Sequence, residues 1–435
     1  MQVPTAAERH ADQPPPDLAA ARAIRDRALA ERRELLSEHE AKALLAAFGL
    51  PVPRNIVCKE REAALAAARE IGFPAVIKLH SPDITHKTEV GGVRLNLQNQ
   101  DMVASAFDDM MRHVRALRPE ARIEGVVVQP MLRFEHAREV LVGVASDPVF
   151  GPVISFGAGG ISVEAVGDTT VALPPLNAML AHDLMRRTRV HRLLAGYRNV
   201  PPADLGALAA ILVGVSGMVC VLPWLKEMDL NPVLAHPRGA VIADARVVID
   251  PSRAEIPPRY GHMAIHPYPA ELESTIRLRD GREVSVRPIR PEDAGREKRF
   301  FDRLSDQSRY QRFMQYMREL PPKLLARFTQ LDYDRELALV ALWQDEFVAV
   351  GRYTPNADGV TAEFALTVAD DWQGKGLGHT LLERLCAAAR AAGYQALVGH
   401  ILEANRDMLE LASHVGFVEQ SHTGTEVSVV RRLDT

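Results

Sequence analysis

One short segment limits what the last third of this chain can fold into. Residues 361–368 (TAEFALTV) alternate in the two-residue period of a strand, and Asp370 and Asp371 follow. Gln373-Gly374-Lys375-Gly376-Leu377-Gly378 then supplies a glycine-rich turn, after which Leu381, Leu382, Leu385 and Ala389 recur at helical spacing. The order reads as strand, tight turn, helix. The first N–H groups of a helix lack internal partners and its N-terminal end is positive, so an anion is favoured there. Glycines let the backbone close on a diphosphate without a Cβ in the way. As a bare pattern the same run is also a plain strand–loop–helix corner.

The rest of the 435 residues divides at a proline-dense stretch. Pro251, Pro257, Pro258, Pro267 and Pro269 mark a linker, placed at 253–272. Before it, helical and strand patterns alternate. Ser37 with Glu40 forms a capping box that starts a helix ending near Gly49. Helices are expected at 63–71 and 102–117, and strands at 75–79, 93–97, 125–129, 140–144 and 151–160. After the linker, strands are expected at 284–289, 337–343, 347–353 and 363–368, with helices at 292–304 and 377–392. Residues 1–34 read as an N-terminal extension, disordered around Pro14-Pro15-Pro16 and an exposed helix over 18–33, with order beginning at Leu35. The fold class is α/β (α+β), in two domains at 35–252 and 273–435.

A formal net charge of −4 gives no general attraction to nucleic acid. Three scattered cysteines, Cys58, Cys220 and Cys386, make neither a metal-type pair nor a disulfide framework, which fits a reducing cytoplasm. Met1 to Asp17 lacks the apolar core of a signal peptide. Residues 207–225 carry no charge over a membrane-spanning length. Gly214, Gly217 and Pro223 interrupt that run and Lys226-Glu227 close it, so a buried helix passing into a buried strand is expected and no membrane span.

With the strand, the turn and the segment 403–417 (EANRDMLELASHVGF) in view, residues 275–435 resemble the GNAT family of N-acetyltransferases. The opening stretch 278–293 is similar to bacterial protein-lysine acetyltransferases of that family. The resemblance implies acetyl-CoA as co-substrate, held by Gln373, Gly374, Lys375, Gly376, Leu377 and Gly378, by the backbone of Leu366 and Val368, and by Asn405. It also implies Glu363 as the general base. A lysine amine is mostly protonated at neutral pH, so a base is needed. By residue type alone, Glu363 is equally a solvated charge at a strand edge.

The first half has a second resemblance. Residues 74–94 (PAVIKLHSPDITHKTEVGGVR) and 227–232 (EMDLNP) resemble the ATP-grasp domain of ADP-forming acyl-CoA synthetases. This implies Lys78 on the nucleotide phosphates, Gly91 and Gly92 in a loop covering them, and Gln129 with Met131 at the adenine edge. Asn231 and Asp244 would hold Mg²⁺, and His86 would be a phosphate acceptor. Simpler readings stand beside these: a lysine snorkelling from a strand end, a surface-loop histidine, a turn and an ordinary strand acid. The pattern also departs from the synthetases. Their CoA-binding and phosphohistidine domains are not found before residue 35, and Ala172 replaces the arginine usual before the LPPL-like stretch 171–177.

The expectation is an acetyl-CoA-dependent acyltransferase acting on protein lysines, an acyl-CoA synthetase among the expected targets, with the ATP-grasp domain regulating it through ATP and Mg²⁺. Two alternatives remain. One is a beta-type synthetase subunit that needs a separate CoA-binding partner. The other is an acetyltransferase for small amines with a nucleotide-sensing domain.

Overall fold

A computed structural model describes residues 15–84, 87–160, 167–254, 260–278 and 280–433. The described residues form two compact units. One comprises residues 15–254 with His262–Ala264, and the other Tyr260, Gly261 and the chain from Ile265 onward.

The first unit holds two sheets. Four antiparallel strands run in the order Ile56–Cys58, Gly125–Pro130, Ala75–His80, Val93–Leu97. Helices Arg61–Ile71 and Gln100–Leu117 pack on them through Ala64, Ala68, Val103, Met110 and Val114. The second sheet runs Arg246–Ile249, Leu225–His236, Arg138–Asp147, Gly151–Ala158, Thr169–Ala172, and Gly239–Ile242 folds back onto Leu225–His236.

The uncharged run 207–225 becomes the helix Leu205–Val221 and the start of the strand Leu225–His236. Asp204 caps the helix by accepting from the Ala207 N–H at 2.9 Å. Leu208, Leu212, Val215 and Met218 are fully buried, each contributing about 1.5–3 kcal/mol. A helix apolar all round belongs at the centre of a core. Among the described residues no helix is long and apolar enough to cross a membrane.

The expected capping box is present. Ser37 Oγ accepts from the Glu40 N–H and Glu40 returns a bond to the Ser37 N–H, starting the helix Glu38–Ala47. The extension needs correction. Leu18–Ala30 is a helix whose Ala21 and Ala28 are fully buried in the main core, so the folded unit begins before Leu35. Most of residues 1–17 lie outside the described residues.

The second unit is one eight-stranded sheet. Its order is Ser274–Arg277, Glu283–Pro288, Leu337–Trp343, Glu346–Pro355, Thr361–Val368, Ala396–Leu402, Glu426–Arg432, Val418–Thr423. Every neighbouring pair is antiparallel except Thr361–Val368 with Ala396–Leu402, which is parallel. A parallel neighbour requires a crossover, and the helix Leu377–Ala391 provides it. Its Leu381 and Leu385 lie against Gly351, where an added Cβ would stand 2.8 Å from a Leu385 methyl. Three helices, Ala294–Arg303, Asp306–Phe313 and Pro322–Thr329, complete the unit ahead of the central strands.

Candidate functional site

The glycine turn is built as its sequence requires. Gly374 and Gly376 sit at φ +71° and +84°, the left-handed region, and an added Cβ at either would touch nothing. Backbone conformation, not space, therefore calls for glycine there. Gly376 is the N-cap of Leu377–Ala391 and offers no side-chain cap. The first N–H groups of that helix thus have no side-chain cap, the condition under which a helix start can take up an anion. The Lys375 ammonium folds back onto the Asp371 carbonyl and lies 5.6 Å from the Trp372 ring. Gln373 donates to the Val368 carbonyl at 3.1 Å. Gly378 lies close to Leu411, Val368 and Leu366, which seats the helix against the strand.

Glu363 stands at a fork. The parallel strands pair only at Thr361↔Ala396, Ala362↔Leu397 and Glu363↔Val398. Beyond Glu363 they separate, so among the described residues the edge from Phe364 to Val368, which includes Leu366, has no partner strand on that side. The Glu363 side chain is exposed. Asn405 is placed at a helix start. It is the N-cap of Arg406–His414, and its Oδ1 accepts from the Met408 N–H at 3.3 Å.

On the face of the sheet that carries Glu363 lies a buried charge cluster that the sequence reading did not single out. Register places Arg352 opposite Ala365 and Thr354 opposite Glu363, so these residues share a face. The Arg352 guanidinium is buried and donates to Glu297 Oε1 at 3.4 Å while lying 3.9 Å from the Phe328 ring centre. Burial pushes the Glu297 carboxyl above its usual range, against the pull of Arg352 and Arg312. The signal was available in sequence: an arginine inside the apolar strand 347–353 needs a buried partner. A larger concavity of about 560 Å³ lies elsewhere in this unit, among Arg287, Asp293, Arg296 and their neighbours, and contains none of the turn residues.

In the first unit the structure brings four cluster residues together. Glu38, in the first turn of its helix, accepts from Lys78 at 2.5 Å, Lys42 at 2.8 Å and Lys87 at 2.7 Å. Burial raises the Glu38 carboxyl, but Lys78, Lys87 and Lys42 together outweigh it and hold the group far below the usual carboxylate range. Lys42 is almost fully buried and also donates to Gln129 Oε1 at 3.0 Å. Burial and the neighbouring Lys78 push its ammonium down. Three lysines on one carboxylate leave a local excess of positive charge, which suits a polyphosphate. Lys78 and Gln129 were expected from sequence; Glu38, Lys42 and Lys87 were not.

The remaining expected residues are placed as follows. Gly92 closes the loop by donating to the Lys87 carbonyl at 2.7 Å while its own carbonyl accepts from Leu79. A Cβ on Gly92 would stand 2.9 Å from that Lys87 oxygen, and Gly91 takes φ +65°. The Met131 N–H is spent on the Pro74 carbonyl. Asp244 lies 3.9 Å from Lys78 in the connection between Gly239–Ile242 and Arg246–Ile249, where the Ala243 N–H donates to the carbonyl of Pro232, the residue after Asn231. Asn231 Oδ1 accepts from the Gly160 N–H at 2.9 Å. Among the described residues no group of three His, Cys, Asp or Glu could hold a metal by itself. One carboxylate and one amide oxygen do fit Mg²⁺ that keeps waters and phosphate oxygens. His86 lies outside the described residues.

The first unit thus carries three lysines on one buried carboxylate, and the second a forked strand followed by a glycine turn at a helix start. Comparisons with known proteins agree. A family model described as an ATP-grasp domain matches residues 27–249, and one described as the acetyltransferase (GNAT) family matches 299–417. The beta subunit of ADP-forming acetate–CoA ligase I from Pyrococcus furiosus is 39 % identical over 232 residues, covering 53 % of this chain and 99 % of that protein. Acetyltransferase PA5475 of Pseudomonas aeruginosa is 37 % identical over 160 residues, 36 % of this chain and 86 % of that protein. The solved dinucleotide-forming acetyl-coenzyme A synthetase 1 of Ca. Korarchaeum cryptofilum, in complex with coenzyme A and Ca-AMPCP, superposes with a TM-score of 0.51 at 35 % identity, covering 53 % of this chain and all of that one. The chain therefore belongs to the ATP-grasp family over its first half and to the GNAT acetyltransferase family over its last third.

Proposed function

We propose that this chain is an acetyl-CoA-dependent protein-lysine N-acetyltransferase whose ATP-grasp unit binds ATP and Mg²⁺ and regulates transfer. The observation that carries the reading is the uncapped helix end at Gly376 beside a fork that opens at Glu363. The turn Gln373–Gly378 receives the diphosphate of acetyl-CoA, and the unpaired edge at Leu366 and Val368 receives its extended amide-bearing arm. The lysine nitrogen forms a bond to the thioester carbonyl carbon, the carbon–sulfur bond breaks, and CoA leaves as thiolate. Glu363 takes the proton from the attacking nitrogen, directly or through a water, and the thiolate is protonated in turn. The target lysine belongs to another protein, with acyl-CoA synthetases as the first candidates.

The test is transfer of labelled acetyl from acetyl-CoA to protein, comparing wild type with Glu363→Gln. General-base catalysis is worth about 10²- to 10⁴-fold, so a loss of that order is expected. Equal rates would remove Glu363 from its role, and label on small amines but on no protein would replace the proposed acceptor.

The lysine cluster favours a second reading, a beta-type synthetase subunit, and the near-complete coverage of the Pyrococcus beta subunit supports it. Lys78 and Lys87 would hold the phosphates beneath the Gly91-Gly92 loop, and Gln129 and Met131 would meet the adenine. Asn231 and Asp244 would hold Mg²⁺, which neutralises phosphate charge when bound. His86 would accept phosphate, and a separate CoA-binding chain would complete the enzyme. Acyl-CoA formation from acid, CoA and ATP on adding such a chain decides for it; no turnover decides against.

A further inference from the structure

We propose that Arg312 selects the acceptor, its guanidinium docking a carboxylate carried close to the reacting amine. This rests on the acetyltransferase reading and names the acceptor class within it.

The face carrying Glu363 and the helices Ala294–Arg303, Asp306–Phe313 and Pro322–Thr329 enclose a small cavity of about 20 Å³. That is room for one water or one ligand oxygen. Glu297, Arg312, Phe313, Phe328, Arg352 and Thr367 are among its lining residues. Its charges do not balance: two arginines face one glutamate. Arg352 is committed to Glu297 through Oε1. Glu297 Oε2 is buried and has no partner among the described residues.

Arg312 is the open member. Among the described residues it donates no hydrogen bond, and its contacts are to rings, with Phe313 at 5.0 Å and Phe328 at 5.9 Å from the guanidinium carbon. Its side chain is partly accessible. A guanidinium held by aromatic rings is already oriented, so less side-chain entropy is lost when it engages a carboxylate through two N–H groups. Burial and the nearby Arg352 lower its pKa to about 10, against Glu297 and Glu363, and it stays charged at neutral pH. It shares the cavity with Arg352 and Thr367, which stand on the strand face that carries Glu363. Were Arg312 only a counter-ion for the core, Glu297 Oε2 would be its natural partner, yet the two remain unbonded.

The carboxylate has two sources, an acidic side chain next to the target lysine or the α-carboxylate of a free amino acid. Steady-state acetylation of three acceptors separates them: a lysine peptide with flanking aspartates, the same peptide with asparagines, and free lysine. A charge-assisted pair predicts about a 10- to 100-fold preference in kcat/KM for the carboxylate-bearing acceptor, expressed mainly in KM. R312Q should bring the ratio between the two peptides close to one, and R312K, which keeps the charge without the planar fork, should give an intermediate ratio. Preference for free lysine over both peptides assigns the α-carboxylate as the ligand. Equal use of both peptides and free lysine by wild type overturns the inference while leaving the acetyltransferase reading intact. So does an R312Q variant that slows both peptides alike with a lowered Tm, since that marks a structural role. Acetyl-CoA binding with no transfer to any of the three overturns the parent reading instead.

Discussion

Replacing Gly376 by alanine isolates the contribution of one dihedral angle to cofactor binding. The residue sits at φ +84°, and a Cβ there meets nothing within 4 Å. The substitution therefore adds conformational cost without a clash. A non-glycine residue in the left-handed region costs about 1–2 kcal/mol. If the turn keeps its shape, the unit loses that stability, a fall in Tm of roughly 2–8 °C for a domain of this size. If the free turn relaxes, the same strain must be restored when the diphosphate binds, and affinity falls by up to about 5- to 30-fold. Gly359 supplies the control: it has φ +68°, an equally empty surround, and lies in the connection between Glu346–Pro355 and Thr361–Val368. Calorimetric titration with acetyl-CoA and thermal melting should be run on wild type, G376A and G359A. G376A should melt earlier, bind acetyl-CoA more weakly, or divide a total of about 1–2 kcal/mol between the two, while G359A should only melt earlier. G376A with neither loss, or G359A with weakened affinity, would refute this account of the turn.

Asp293 is fully buried and takes two bonds from Arg287, at 2.7 and 2.8 Å, one from Arg296 at 3.0 Å and one from the Arg290 N–H. Asp293→Asn should cost about 3–5 kcal/mol by leaving Arg287 uncompensated, since Arg296 keeps Asp345, read by chemical denaturation. Burial raises this carboxyl but Arg287 and the Arg290 N–H lower it further, so its folded pKa lies below the unfolded value. Its stabilisation is thus complete above about pH 4 and is lost as pH falls through the folded pKa, a dependence that the asparagine variant should lack. Glu38→Gln should destabilise the unbound first unit by stranding Lys42, Lys78 and Lys87. Mg-ATP should then raise the Tm of the variant more than that of wild type, because the phosphates replace a missing counter-charge; an equal rise would separate this cluster from the nucleotide.

Local signals were legible where one segment holds the whole message. Ser37 and Glu40 announce a helix start because both halves of the capping box lie within four residues. Pro223, two residues past Val221, shows where the buried helix must end. The alternation of Glu363, Ala365 and Thr367 gives the strand face, and Gly374 and Gly376 give the turn. Long-range pairings left no such trace. Glu38 reads as an acid in the first turn of a helix, where the dipole alone would welcome it. Its lysines are 4, 40 and 49 residues away. Glu297 and Arg352 are 55 residues apart, and only the fold makes them partners. The helix Leu18–Ala30 buries alanines, whose small side chains give a weak apolar stripe, so it reads as exposed. The outer edge strand Val418–Thr423 is exposed along its whole length and carries no alternation of burial, so nothing in its pattern marks a strand.

The separation of two parallel strands after Glu363 has a consequence for what can enter there. Backbone amides and carbonyls along such an open seam must find partners, in water or in a guest. A guest that displaces the water gains only if it brings its own donors and acceptors, spaced as a peptide spaces them. Bare phosphate or a plain alkyl chain cannot do so. On the proposed reading the seam would act as a ruler for ligands: a visitor would be accepted to the extent that it can stand in for a length of polypeptide.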